Sequence, residues 1–364
     1  MKYTQIRATI LIALTLATSN IYAQIPAAAP APLIQTVWVV DNKNTLFFRE
    51  GISPQNVLGT VWKEIPGIKI MQIAAGSCGN VWAISETRQL LFREGITPST
   101  PAGTGWKIVD QVTGFVEIII GGPNDSLVWA RDGNSKVFRR IGITPGNPIG
   151  TGWVQVPKID ARSVAISPEG DVWHLGFRWQ PFQYLYVKVY HARDANFSGW
   201  DHVFTEPIDC SKIVLDPGKG LWVLIATKKK IFFTTREYYE LRFHPFVGQT
   251  TALQPTSSLN IQNPRLLNIA TNKGGDVWGI KLGGTVVARQ GDTWTEAGNL
   301  EPCVQIAVGS LPYAAQPAVE KPIVEKPAIE KAASAEKLPV KKSPVKNPPV
   351  KKKPLAKKKP VEKK

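Results

Sequence analysis

The chain has 364 residues, with 44 Lys and Arg against 28 Asp and Glu, a formal charge of +16, 43% hydrophobic residues and 12 Trp. That is chain enough for a sizeable core, and past the first 25 residues no apolar run approaches the ~20 residues that span a bilayer, which excludes a polytopic membrane protein. Cys78, Cys210 and Cys303 lie far apart and outside any CxxC or Cys/His spacing, so neither a structural zinc site nor a dense disulfide framework is expected, and at most one bridge is possible.

Residues 1–24 read as a secretory signal: Lys2 and Arg7 open it, the apolar stretch from Ala8 to Ala17 is too short to span, and Ala23 is a small residue at the cleavage position. The mature protein is therefore expected to be exported, to the periplasm, the cell surface or the medium; the rival reading is an uncleaved N-terminal anchor. Residues 25–35 form a Pro/Ala spacer. At the other end, residues 314–364 carry 15 Lys, 5 Glu and 9 Pro and no core-forming pattern, which predicts a disordered, extended, cationic tail. Most of the excess charge belongs to this tail. The intervening part, residues 36–313, is close to neutral, so a nucleic-acid-binding core is not expected from charge.

Between these ends the chain repeats. Val-Trp or Leu-Trp recurs at Trp38, Trp82, Trp129, Trp173, Trp222 and Trp278, and the segments 36–67, 80–111 and 127–158 are nearly the same sentence. In those three a second Trp follows 24 residues after the first, at Trp62, Trp106 and Trp153; Trp200 and Trp294 complete stretched and shortened versions. Short apolar runs ending in turns precede five anchors, at 73–77, 118–122, 164–168, 213–217 and 268–272, and read as buried inner strands. A sixth run, 306–310, has no Trp after it, whereas Trp38 has no such run before it. The spacing of about 47 residues suits a four-stranded antiparallel unit. An all-β, six-bladed β-propeller is predicted, its ring closed by strand 306–310 completing the first blade.

The residues Val-Trp, then Leu-Phe-x-Arg-x-Gly-Ile-Thr, then Gly-x-x-Trp and an inner strand ending Ala-x-Gly resemble the tectonin-type β-propeller repeat, a family that includes secreted lectins. The resemblance spans residues 36–310 and is closest in the first three repeats. It implies a propeller with sugar-binding sites formed around the repeats. The fifth repeat departs most from the pattern, with its Lys228–Lys230 run and an insert from Tyr238 to Asn263.

Two sets of repeated side chains are candidates for carbohydrate contact. Arg49, Arg93, Arg140 and Arg289 each lie eleven residues after an anchor Trp, and a guanidinium fork can bind vicinal hydroxyls or an anionic sugar group. The competing role is structural, capping carbonyls or pairing with an acid such as Glu50 or Glu94. Trp62, Trp106, Trp153 and Trp200, with Trp294, offer aromatic faces for pyranose stacking, against a competing role in wedge packing. Residues 173–204 hold ten aromatics and His174, His191 and His202, a local anomaly that suits either a specialised pocket or an enlarged strand pair. No catalytic, metal or cofactor motif stands out, so no enzyme, metal or cofactor is predicted, although those three His keep a lyase reading in view. Expected partners are glycans or a cell-surface polysaccharide through the propeller and an anionic polymer or surface through the tail. A protein partner bound by a non-lectin scaffold is the alternative. Lys without interleaved aromatics argues against sequence-specific nucleic-acid binding, and the propeller is expected to be monomeric.

Overall fold

The computed structural model describes residues 33–312 except 112–113, 178–185, 193–196, 198, 208–209, 232–233, 246–258, 261–263 and 301. The signal segment 1–24, spacer residues 25–32 and the tail 314–364 lie outside the described residues. Twenty-three strands are described: β1 Leu33–Asp41, β2 Leu46–Glu50, β3 Val61–Ile65, β4 Ile70–Ala75, β5 Val81–Ser85, β6 Gln89–Glu94, β7 Gly105–Gln111 and β8 Phe115–Gly121. Then come β9 Leu127–Asp132, β10 Lys136–Ile141, β11 Gly152–Ile166, β12 Val172–Phe177, β13 Tyr186–Ala192, β14 Trp200–Pro207, β15 Cys210–Asp216 and β16 Gly220–Ile231. The last are β17 Thr234–Pro245, β18 Leu259–Asn260, β19 Leu266–Thr271, β20 Val277–Lys281, β21 Val286–Gln290, β22 Thr293–Glu296 and β23 Cys303–Pro312.

All the sheets are antiparallel meanders. Four of them have four strands, β23-β1-β2-β3, β4–β7, β15–β18 and β19–β22, and one has seven, β8–β14. The seven-stranded sheet exists because β11 is 15 residues long: its first part pairs with β10 (Phe138 opposite Gln155) and its second with β12 (Ala165 opposite Trp173). Strand β23 pairs with β1 from Leu33 opposite Pro312 to Asp41 opposite Cys303, so the last described strand is the innermost partner of the first. Leu33, Ile34 and Gln35, which composition assigns to the spacer, are ladder residues of β1, because β23 extends far enough to pair with them. Similarly, Lys228–Lys230 and Tyr238–Pro245, which look inserted, lie in a hairpin of two twelve-residue strands, β16 and β17; of the remaining insert, 246–258 and 261–263 lie outside the described residues.

Both faces of each sheet are covered, which is why the strands read as near-continuous apolar runs. Alternate residues of a strand point to opposite faces. On β1, Trp38 and Val40 pack with Ile70, Ile73 and Val81 of the following sheet, whereas Val37 and Val39 pack with Trp278, Ile280 and Val286 of β19–β22. The same division recurs along the chain. Trp82 packs against β8 and β9, Trp129 against the second half of β11, Trp173 against β15, Trp222 against β19 and Trp278 against β23. These six anchors are the largest fully buried side chains. A Trp there fills the wide part of a wedge that smaller residues would leave void. Cys210 and Cys303 are buried in two different core clusters, and Cys78 lies in the turn after β4.

Candidate functional site

The nearly identical segments fold identically. Loops 51–60, 95–104 and 142–151 each close with a threonine N–H donating to the carbonyl of the residue before the loop, Thr60 to Glu50, Thr104 to Glu94 and Thr151 to Ile141, all at 2.8 Å. Gly59, Gly103 and Gly150 adopt φ near +65°, and a Cβ at any of them would meet that same carbonyl oxygen at 2.5 Å. Only glycine fits both conditions.

Beneath these loops sit the repeated arginines. Arg49, Arg93 and Arg140 are buried, and their Nε atoms donate to Leu58 O (2.6 Å), Ala102 O (2.8 Å) and Ile149 O (2.8 Å). Each guanidinium lies about 5 Å over the ring of the second Trp of its own repeat: Arg49 over Trp62, Arg93 over Trp106, Arg140 over Trp153. Arg140 also donates to Asp110 of β7, tying two sheets. Burial lowers the pKa of Arg49 and Arg93 from the usual range. Arg289 departs from the set, because its repeat lacks the loop; it pairs with Asp292 at 2.9 Å and covers Trp222 of the preceding sheet. The acids proposed as partners are used elsewhere in one case, Glu50 pairing with Lys63 at 3.1 Å.

The second Trp set is partly buried and packs toward the preceding repeat: Trp62 in the cluster of Ala297, Trp106 in that of Trp38 and Ile65, Trp153 in that of Trp82 and Ile84, Trp200 in that of Trp129, and Trp294 in that of Trp222. Each interface thus receives aromatic surface from the outer strand of the later unit. Trp62 Nε1 donates to Ala297 O at 2.8 Å, a bond across 235 positions of sequence. What remains open are clefts. One, of about 390 Å3, lies between residues 63–68 and Arg93, Gly103, Thr104 and Trp106. Another, of about 360 Å3, lies between Ile34, Arg49, Ile52 and Lys63 on one side and residues 99–103 on the other.

In the aromatic-rich segment, His174 is buried between Tyr190, stacked at 4.8 Å and 10°, and Trp200, edge-on at 4.5 Å. Neither ring nitrogen has a hydrogen-bond partner among the described residues. Desolvation lowers its pKa to about 3, so it is neutral at physiological pH. His191 lies 3.5 Å from Asp171, whose pKa is lowered chiefly by that hydrogen bond. The arrangement is a packed aromatic stack around His174; residues 178–185 lie outside the described set.

A second site is not flagged by the repeat anchors. Immediately before the apolar run of each inner strand stands a polar residue: Gln72, Glu117, Ser163, Lys212, Asn268 and Gln305. In every case the ladder register shifts just ahead of it, leaving one extra residue: between Ile70 and Gln72, Phe115 and Glu117, Ala161 and Ser163, Cys210 and Lys212, Leu266 and Asn268, and Cys303 and Gln305. A β-bulge re-aims the side chain that follows it. These side chains line one end of a cavity of about 320 Å3 whose walls are β4, β8, β11, β15, β19 and β23. They also bridge the inner strands, which share no ladder: Gln72 binds Ile118, Ser163 Oγ accepts from Ile213 N at 3.2 Å, Lys212 Nζ donates to Asn268 Oδ1 at 2.6 Å, and Asn268 Nδ2 donates to Val304 O at 3.2 Å. The six-fold recurrence of a polar residue before Ile or Val is a signal legible in the sequence once the strands are aligned.

Residues 35–176 match the family model of the Tectonin domain. No curated protein matches the chain in sequence. Among solved structures, similarity is found to YCF48 bound to D1 peptide, 13% identical over 74% of this chain and 83% of that one, with a TM-score of 0.40. YCF48 from Cyanidioschyzon merolae is 14% identical over 73% and 86%, with a TM-score of 0.39. The β-propeller domain of Myceliophteria thermophila Cps50 (Swd1) is 9% identical over 76% and 89%, with a TM-score of 0.40.

Proposed function

We propose that this tectonin-repeat propeller is an exported, non-catalytic carbohydrate-binding protein of six four-stranded blades, with a Lys-rich tail that docks on an anionic surface. The blade count takes β11 as the last strand of one blade and the first of the next. Ring closure is supported by the pairing of β23 with β1, by the Trp62–Ala297 bond, and by the core that Val37 and Val39 share with Trp278 and Ile280.

The observation that carries the sugar reading is the cleft between the first two repeats, where the Trp106 ring and the Arg93 guanidinium meet the edge formed by residues 63–68. An aromatic face with donors beside it is the surface a pyranose ring needs. Related loops in the second and third repeats offer further sites, and several weak sites on one rigid ring bind a polysaccharide far more tightly than one. Arg49, Arg93 and Arg140 serve mainly to hold the loops and rings in place, and the exposed Glu64 and Lys63, the latter paired with Glu50, are the charged side chains at the cleft's edge that can turn to a ligand. Export rests on residues 1–24, and the tail's role on its 15 Lys against 5 Glu.

Glycan-array binding of the full mature chain, at physiological and at high salt, tests the reading. Tail-driven attachment is lost at high salt, whereas sugar binding persists and is competed by free sugar. Silence across neutral, acidic and methylated glycans at high salt would overturn it and leave a protein partner as the occupant.

A further inference from the structure

We infer that the central cavity is a binding site for a small oxyanion, held by Lys212 with Arg162 and Gln305 of the cavity wall. The inference is independent of the carbohydrate reading, because it concerns the inner strands and not the clefts. The charged residues lining the cavity are Arg131, Arg162, Lys212 and Glu117, three cations against one carboxylate. Glu117 is engaged by Arg131, whose Nε donates to Glu117 Oε2 at 2.9 Å. Lys212 has a neutral partner, Asn268 Oδ1, and the described residues give it no ion pair.

Lys212 lies deep in the protein yet keeps accessible surface, as a group lining a cavity does. Burial of its ammonium lowers its pKa, opposed more weakly by the charge of Glu117. A buried ammonium whose hydrogen-bond partner is neutral and whose nearby carboxylate is already held by an arginine is costly, and a bound anion lowers that cost. The bulges bring further polar side chains to the cavity wall: Arg162 is itself the extra residue of the bulge before Ser163 on β11, and Gln305 follows the bulge of β23. Donors arriving from several strands suit an ion with oxygens in several directions, a phosphate or sulfate, either free or as the end group of a larger molecule. The cavity, at about 320 Å3, admits either form.

The test is thermal unfolding of the full mature chain in a low-salt cationic buffer, titrated with inorganic phosphate, sulfate or glycerol phosphate, for wild type, Lys212→Met and Lys212→Gln. The tail is present in all three proteins, so its own anion binding cancels. Without added anion, both variants should be as stable as wild type or more so. With anion at ten- to a hundredfold over Kd, wild type should gain about 3–10 °C beyond the gain of the variants. Response to phosphate but not glycerol phosphate would identify a free ion; response to both, an end group. Equal gains in wild type and in whichever variant folds would overturn the proposal. So would the absence of any gain in wild type.

Discussion

Gln72 pairs with Ile118 as though it were a strand. Its Oε1 accepts the Ile118 N–H at 3.1 Å and its Nε2 donates to the Ile118 carbonyl at 3.1 Å, so one side chain satisfies both backbone groups of a residue in the next sheet. The inner strands of neighbouring units are too splayed to share a ladder, and the amide supplies the missing rung.

Gln72→Ala should therefore lower stability by about 1–3 kcal/mol, the cost of leaving a buried N–H and C=O without partners. Gln72→Glu should cost at least as much, because a carboxylate cannot donate to Ile118 O and would face it. Urea unfolding midpoints measure both. A midpoint unchanged in either variant would show that water replaces the clamp.

Asp125 holds the turn after β4 from the neighbouring unit. Its Oδ1 accepts from Ser77 N (2.7 Å) and Ser77 Oγ (3.2 Å), and its Oδ2 from Cys78 N (2.9 Å) and Asn80 N (3.1 Å). Burial nevertheless raises its pKa, outweighing those four bonds. Asp125→Ala strands three N–H groups, that of Ser77 buried and those of Cys78 and Asn80 partly buried, and should cost about 2–4 kcal/mol. Gly76→Ala should be comparably harmful, since its Cβ would sit 2.3 Å from the Asp125 carboxylate. Thermal melts of the two variants are the check, and a loss under 1 kcal/mol for either would contradict the account.

Two glycines of the first cleft give opposite expectations. Gly103→Ala places a Cβ 2.5 Å from Glu94 O at φ +65°, so it should lower the melting temperature and disturb the carbonyls that cap Arg93. Gly105→Ala meets nothing within 4 Å and needs no left-handed backbone, so it should be nearly neutral. Similar melts for the two would refute the loop geometry.

His174 makes stability depend on pH. Its pKa is about 3 in the fold and about 6.5 when unfolded, so the unfolded chain binds the extra proton between those values. The stabilisation is fully present above pH 6.5 and is lost progressively as pH falls toward 3, by up to about 1.4 kcal/mol per pH unit. His174→Phe removes the titration while keeping a ring between Tyr190 and Trp200. Its stability should fall less steeply over pH 6 to 4 than that of wild type, and parallel pH profiles would rule the mechanism out.

The pairing of β23 with β1 predicts a sharp difference between two truncations. Ending the chain after Pro302 removes Cys303, Ile306 and Val308 from the core shared with Val37 and Trp278, and should abolish cooperative unfolding. Ending it after Tyr313 keeps every residue of β23 and should leave the melt intact. Circular dichroism during heating distinguishes them.

The sequence by itself determined the inner strands, the strand order of the first three repeats and the pairing of the last strand with the first, because each follows from local alternation, turn residues and a repeat long enough to see; it missed the start of β1 and the long β16–β17 hairpin, whose extent depends on their pairing partners. The anchors Trp38 to Trp278 were legible as core for the same reason. What Arg49, Arg93 and Arg140 do was left open there, since a guanidinium has the same sequence signature whether it binds a ligand or caps a loop. Only the tertiary structure shows the three buried beneath Gly59, Gly103 and Gly150, bonded to carbonyls nine residues away. Tertiary structure alone also made a belt of Gln72, Glu117, Ser163, Lys212, Asn268 and Gln305. Each is an ordinary polar residue at a strand's start, and they meet because every inner strand carries a bulge at the same step and all of them face one cavity.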